Sequence, residues 1–528
     1  MIEFHLSGQP GLNGFEDSNG GYLSWSYSTG VDTRFPGVVQ LAPLLTSVDL
    51  SGSQSSAANA SKIVFSEGMT TGTAELAVVA NGARPTTIRL DTRAYVSTAS
   101  TAAYGAAITD LIYTIAANGT EEISAALGST IYQVITAFNG GTTSFTTSAN
   151  DESNKFRIWL KGPSFEADGQ VFGFGFGTGS VENLVRHNVQ TGTVTMDASA
   201  WATRVTMSSS KITFTGAALD GSIVLIGTTD GVYRYNNEHF VFIPYTPELT
   251  SSANNGKNMA YWSKLGTVVP LEYETRRFVQ LDSESIGPER FSRNNSPVQG
   301  RLTAQDYAPR WGMWAIYNQF ADATYLCWVR PRQSSEYTNT EGPVSIYPFN
   351  KLTDGVDCEA IAYADVKGGV SNPTWLVGQD GNVAWQIEGK QGRNPDDTAC
   401  TYQSSGTIYL TEVMRDPMKD KTVKAIGMRT LGCSSTETIT PTITWLDKFG
   451  VSQSVTLNAI NSNGTHIIHV PREKEIKSEA FQISLAFARG GTTTNTPRII
   501  RWGRSEVKCW YAESDLVDQN RNGIPSGN

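Results

Sequence analysis

Histidine and cysteine are scarce in this sequence, and neither is grouped for chemistry. Five cysteines in 528 residues (Cys327, Cys358, Cys400, Cys433, Cys509) stand far apart, without a CxxC pair. Neither a zinc site nor a disulfide framework is indicated by that, and the cysteines read as buried thiols of a protein folded in a reducing compartment. The five histidines are His5, His187, His239, His466 and His469. His466 and His469 are three apart on an expected strand, so they point to opposite faces and cannot hold one ion together. Neither a GxSxG elbow nor an HExxH helix occurs. The adjacent carboxylates Glu121-Glu122 and Asp396-Asp397 read as helix-start charge and loop solvation, because neighbours in sequence do not straddle a scissile bond. No enzyme is expected from this inventory.

Charge and long apolar runs are also lacking. Charged residues make up 17% of the chain, and the net charge is −9 with lysine and arginine dispersed. No basic stripe for a nucleic-acid backbone is expected from that balance. No apolar run approaches the length of a membrane-spanning helix, so no membrane span is expected. The opening MIEFHLSGQPGLNG has no basic stretch followed by an apolar one, so no signal peptide is expected.

What the chain does have is glycine (50 residues) with abundant Ser, Thr and Asn, the composition of a turn-rich all-β protein. Lys211 to Tyr245 is its clearest stretch. Ile212–Phe214, Ile223–Ile226, Val232–Tyr235 and Phe240–Ile243 read as four strands, with Thr229-Asp230-Gly231 as a tight turn. Four short antiparallel strands make one propeller blade, and a lone blade cannot bury both faces. Trp375 to Trp385 repeats the pattern around Asp380-Gly381. Ala260–Tyr273, Trp311–Val329, Lys62–Phe65 and Glu75–Ala80 share the strands at roughly the 40 to 50 residue spacing of blades. An ordinary β-sandwich with two similar hairpins is the alternative, and it has too few places for so many short strands.

Residues 101 to about 180 break the pattern. Ile123, Leu127, Ile131, Val134 and Ile135 fall at helical spacing between Glu121 and Phe138, with Thr120 as N-cap and Asn139-Gly140-Gly141 as stop. With flanking strands this predicts an inserted α+β unit. Gly173, Gly175, Gly177 and Gly179 alternate with Phe172, Phe174 and Phe176 after that helix. A phosphate loop would have to open a helix, so a flat strand is the better account. Past Lys421 the alternation sharpens: Phe481, Ile483, Leu485 and Phe487 share one face, as in a β-sandwich.

The expected fold class is mainly β: a β-propeller with an inserted small α+β domain and a C-terminal β-sandwich. The expected divisions are an N-terminal arm at 1–60, a first propeller segment at 61–100 and the insert at 101–190. The rest of the propeller follows at 191–420, the sandwich at 421–512 and a polar tail at 513–528. The arm is expected to drape over a neighbour or supply the strand that closes a propeller ring. The polar stretches Glu272–Arg310, Gln333–Gly342 and Lys390–Asp397 are expected to be partner-contacting loops.

One string has metal-like spacing. Asp518, Asn520 and Asn522, followed by Gly523, match the first half of a calcium loop. The carboxylate due at position 12 would lie past Asn528, so calcium would be held weakly, and a polar tail is the simpler reading. No other cofactor is expected. Ser252-Ala-Asn-Asn-Gly256 is the nearest approach to a sialidase-type turn, but it lacks the Asp and has Met259 at the aromatic position.

The arrangement resembles the structural proteins of tailed-bacteriophage virions. Carrying the resemblance are Gly227-Thr-Thr-Asp-Gly-Val-Tyr-Arg-Tyr235 in a blade, the strand Ala480-Phe-Gln-Ile-Ser-Leu-Ala-Phe487, and Thr496-Pro-Arg-Ile-Ile-Arg-Trp502. The resemblance implies a tail nozzle, tail-tip or adaptor ring, in the virion tail and assembled in the host cytoplasm. Implied partners are other virion tail proteins and copies of itself, with transient passage of DNA. A receptor- or glycan-binding propeller at the virion tip is the alternative. No functional residue carries over, because such proteins act through surfaces.

Overall fold

A computed structural model gives the structure of the chain. It describes residues 1–7, 25–35 and 37–49, between 60 and 387 the residues of the β-strands and a few that flank them, and 400–413, 419–447, 449–471, 476–503 and 505–515. Among the described residues every regular element is a β-strand and there is no helix. The chain divides into two compact units, Leu45–Ile346 with Lys351–Gly392, and Met1–Leu44 with Tyr347–Asn350 and Arg393–Asn528.

The first of these is propeller-like. Among the described residues it holds seven antiparallel sheets, each built almost wholly from consecutive strands. The fourth is Gly216–Asp220, Ile223–Thr228, Gly231–Asn236 and Val241–Pro244, which is the stretch with the clearest sequence signature. Thr228 pairs with Gly231, so only Thr229 and Asp230 intervene. Its opening strand lies at Gly216–Asp220; the expected Ile212–Phe214 falls outside the described residues.

The last sheet is not consecutive. Cys358–Ala364, Thr374–Gln379 and Asn382–Ile387 are completed by Leu45–Asp49, a strand that precedes the first sheet in sequence. The first sheet (Ala60–Thr71, Ala74–Asn81, Arg84–Arg89, Ala94–Val96) then shares one core with the last. Ala60, Ile63, Val79 and Ile88 pack there with Ala360, Ala362, Leu376 and Val383. Gly378 permits the approach, since a Cβ on it would sit 2.5 Å from the Ala60 carbonyl oxygen.

The expected inserted α+β domain is not found. Glu121–Leu127 and Thr130–Ile135 are two strands, hydrogen-bonded to each other and, through the first, to Asp110–Ile115. Leu127 pairs with Thr130, so Gly128 and Ser129 alone link the strands. A two-residue Gly-Ser link is a hairpin signal, and Thr130, Ile131, Val134 and Ile135 are β-branched. Spacing of three and four in a short apolar run does not by itself separate a helix from a hairpin. The glycine-rich Gln170–Phe176 is a strand paired on both sides, as its alternation predicts. Glu272–Arg310, expected to be irregular, contains the strands Thr275–Val279, Asp282–Ser285 and Leu302–Ala308. Gln333–Gly342 and Lys390–Asp397 lie outside the described residues.

The second unit is two facing sheets. An eight-stranded sheet runs Ile2–Phe4, Val507–Asp515, Lys419–Leu431, Arg498–Ile500, Val38–Leu41, Val31–Asp32, with Gly464–His469 and Lys477–Ser478 on the other edge of Lys419–Leu431. A five-stranded sheet runs Trp25–Thr29, Ser405–Leu410, Phe481–Ala488, Thr438–Leu446, Ser452–Thr456. Phe481, Ile483, Leu485 and Phe487 are buried on alternate positions, and Phe481 meets Tyr511 of the other sheet edge-on at 6.0 Å between ring centroids. The first 44 residues therefore contribute strands to both sheets of this unit.

Candidate functional site

Three of the six exposed large apolar side chains among the described residues gather at one hairpin. Thr438–Leu446 and Ser452–Thr456 pair down to Leu446 opposite Ser452, leaving Asp447 to Val451 as the turn. The Asp447 amide donates to the Val451 carbonyl at 2.9 Å, and the Gly450 amide donates to the Asp447 carbonyl at 2.8 Å. Its carboxylate does the rest. Oδ1 accepts from the Phe449 amide (2.9 Å) and the Val451 amide (3.0 Å), while Oδ2 accepts from Gln453 Nε2 (3.0 Å). Gly450 takes φ +76°, which a side chain would resist.

This turn displays Leu446 (58% exposed), Phe449 (78%) and Val451 (55%). Keeping one such side chain out of a core forgoes about 1.5–3 kcal/mol of burial, and three together on a fixed turn make an apolar patch on an otherwise polar strand edge. Sequence reasoning passed over this hairpin in favour of the long polar loops. Its signal was an Asp-x-x-Gly turn with Phe449 inside it, between two alternating strands.

A second feature is a cavity of about 290 Å³ in the propeller-like unit, lined by Lys62, Phe65, Met259, Gln305, Asp306, Glu359 and Tyr363 among others. One of its polar groups, Asp306, ties two sheets together, and another, Gln305, bonds within its own sheet. Asp306 Oδ2 accepts from the Tyr363 amide at 2.5 Å, and Trp314 Nε1 donates to Gln305 Oε1 at 3.1 Å. The cavity is thus a seam between strands from successive sheets.

The calcium candidates Asp518, Asn520 and Asn522 lie outside the described residues. His466 pairs with Met428 and His469 with Ala425, on opposite faces of their strand as spacing requires. All five cysteines are free and buried. Burial pushes the Cys358 and Cys509 thiols up to about 12, so they stay protonated and unreactive near neutrality.

No protein-family profile matches the chain, and no curated protein does. Solved structures do match. One is the extracellular domain of the hybrid two component system BT4673 from B. thetaiotaomicron, 11% identical with a TM-score of 0.39, covering 65% of this chain and 40% of that one. Another is the β-propeller domain of Cps50 (Swd1) from Myceliophteria thermophila, 10% identical with a TM-score of 0.36, covering 65% of this chain and 99% of that one. The chain thus spans about two fifths of the bacterial domain's length. Likenesses of this size carry no argument about function, and the fold rests on the strand pairing above.

Proposed function

We propose that this chain is a structural component of a bacteriophage tail, a nozzle, tail-tip or adaptor ring of identical subunits acting through protein–protein contacts. In this reading the seven sheets are the blades of a β-propeller, closed by the strand Leu45–Asp49, and the two-sheet unit is a β-sandwich. The observation that carries the reading is the hairpin tip, where Asp447 fixes a turn that presents Leu446, Phe449 and Val451 outward. A rigid apolar tip is an anchor for a neighbouring subunit, and closed rings repeat one such contact between every pair. DNA would pass such a ring without being gripped, because the chain is acidic overall. Light scattering on the purified chain tests this. Stable assemblies are expected at micromolar concentration, and Phe449→Ser should shift them toward monomers; a wild-type chain that is monomeric throughout refutes the reading.

A second reading, recognition of a glycan at the virion tip, is favoured by one observation. Trp502 and Trp510, both partly exposed, pack against each other on the solvent side of the eight-stranded sheet.

A further inference from the structure

Inner and outer faces of the eight-stranded sheet are fixed by its longest strand. Ile426 and Met428 are fully buried, so Gly427 and the exposed Arg429 face the other way. Lys508 stands opposite Gly427 on one side and Ile467, 50% exposed, on the other. Two indoles converge on that glycine. A Cβ at Gly427 would lie 2.7 Å from Trp510 Cζ3 and 3.0 Å from Trp502 Cζ3. Glycine weakens the middle of a strand, so its presence beneath two tryptophans has a use: it lets both rings settle against the sheet.

The rings lie 6.3 Å apart between centroids with their planes at 54°. Trp502 is held at a turn where its amide donates to the Ser505 carbonyl at 2.8 Å. Lys508 Nζ sits 4.9 Å from the Trp502 ring centroid and pairs with Glu3 at 3.0 Å. Arg501, exposed, precedes Trp502 in the chain. Glu506, two residues before Lys508, is engaged within the fold. It is fully buried, and its oxygens accept from the Leu6 amide and the Ser7 hydroxyl. Lys508, paired with Glu3, is thus the cation set against the indoles, while the exposed Arg429 lies two residues along the strand from Gly427 and the exposed Arg501 is the chain neighbour of Trp502.

We propose that the Trp502–Trp510 face binds an acidic pyranose within an oligosaccharide, a uronate or a comparable carboxylated sugar. The proposal rests on the second reading above and names both the ligand class and its place, the sandwich instead of the propeller. Walls tilted by 54° suit a puckered ring. A pyranose chair presents C–H groups that can rest on the partly exposed indole edge and face of Trp510, with Lys508 over the neighbouring Trp502 ring within reach of the carboxylate. Lys508 supplies a charge-assisted hydrogen bond for the carboxylate, and the exposed Arg429 and Arg501 add positive potential nearby in the chain.

Isothermal titration of the full chain with oligogalacturonate, with a neutral malto-oligosaccharide of equal length, and with single-stranded oligothymidylate separates the outcomes. Oligogalacturonate should bind best, and more weakly as salt is raised. Trp510→Ala should weaken it about tenfold or more, and the surface double variant Arg501→Gln/Lys508→Gln should lose the preference for the acidic sugar while keeping the thermal midpoint. Equal or tighter binding of the neutral sugar overturns the acidic assignment alone, and tighter oligothymidylate replaces it with a nucleic-acid surface. Failure of every glycan removes the second reading with it. If Trp510→Ala does not fold, unchanged oligogalacturonate binding by the double variant overturns the proposal equally well.

Discussion

Glu506 shows how single residues tie the two ends of the chain together. Its Oε2 accepts from the Leu6 amide at 3.0 Å and its Oε1 from the Ser7 hydroxyl at 2.7 Å, while Ser7 Oγ accepts from the Gly37 amide at 2.8 Å. Glu506→Ala would leave buried donors without acceptors, at a cost of about 2–4 kcal/mol. Differential scanning calorimetry should show the melting of the two-sheet unit lowered by about 5–10 °C, with residues 2–7 becoming protease-sensitive; an unshifted melt would mean the N-terminal strand is not held by this carboxylate. His5 beside it gives a pH test. Burial is the main force holding its pKa below the usual 6.5, with Arg501 adding to the effect and Glu506 and Glu3 opposing it. The unfolded chain therefore takes up a proton on His5 before the folded one does. Stability from this residue is complete above pH 6.5 and declines as pH falls through 6.5 toward the lowered folded value. Midpoints measured between about pH 5 and 8 should fall on the acid side in the wild type and flatten in His5→Gln. Parallel curves would assign the acid sensitivity to other groups.

At the scale of elements, legibility followed how local the signal is. Thr229-Asp230 and Asp380-Gly381 sit between strands two residues apart in sequence, so the turn chemistry and the pairing it sets are written side by side. Phe481 to Phe487 alternate cleanly because one face meets the other sheet and the other meets water. Gly128-Ser129 misled because its hairpin is short and apolar on both arms, and apolar spacing cannot then choose between periods. The hairpin tip at Asp447 was readable in principle, but exposure of Phe449 is a tertiary property with no sequence mark. Leu45–Asp49 is the harder case, since its partner Asn382–Ile387 is more than 300 residues away and nothing in five residues names it. That pairing is testable. Alternate amides of an antiparallel strand face the partner, so prolines at both Ser47 and Val48 must delete one ladder hydrogen bond wherever the alternation falls. Hydrogen exchange of the Ser47→Pro/Val48→Pro variant should then accelerate across residues 382–387 and leave the sandwich amides unchanged. Protection of 382–387 at wild-type levels would show that another strand covers that edge.

For the whole molecule the question is what the hairpin tip can achieve alone. Leu446, Phe449 and Val451 together can bury about 300–400 Å², well short of the roughly 800 Å² per partner of a stable interface. In the proposed ring the tip would therefore be an anchor within a wider contact, where its rigidity matters as much as its apolarity. Asp447→Ala keeps all three side chains but removes the hydrogen bonds to Phe449, Val451 and Gln453. A loosened turn must be ordered on binding, so subunits should dissociate faster by about tenfold with little loss in the melting of the isolated subunit. Ionic strength distinguishes this proposed contact from the proposed glycan face on the same unit. Apolar burial is not screened, whereas attraction between arginines and a carboxylated sugar is. Sedimentation velocity at about 0.05 and 0.5 M salt, where the Debye length falls from roughly 14 to 4 Å, should show assembly unchanged while acidic-sugar binding weakens. Assemblies that fall apart as salt rises would place the subunit contact on charged surface and leave the hairpin tip without a role in it.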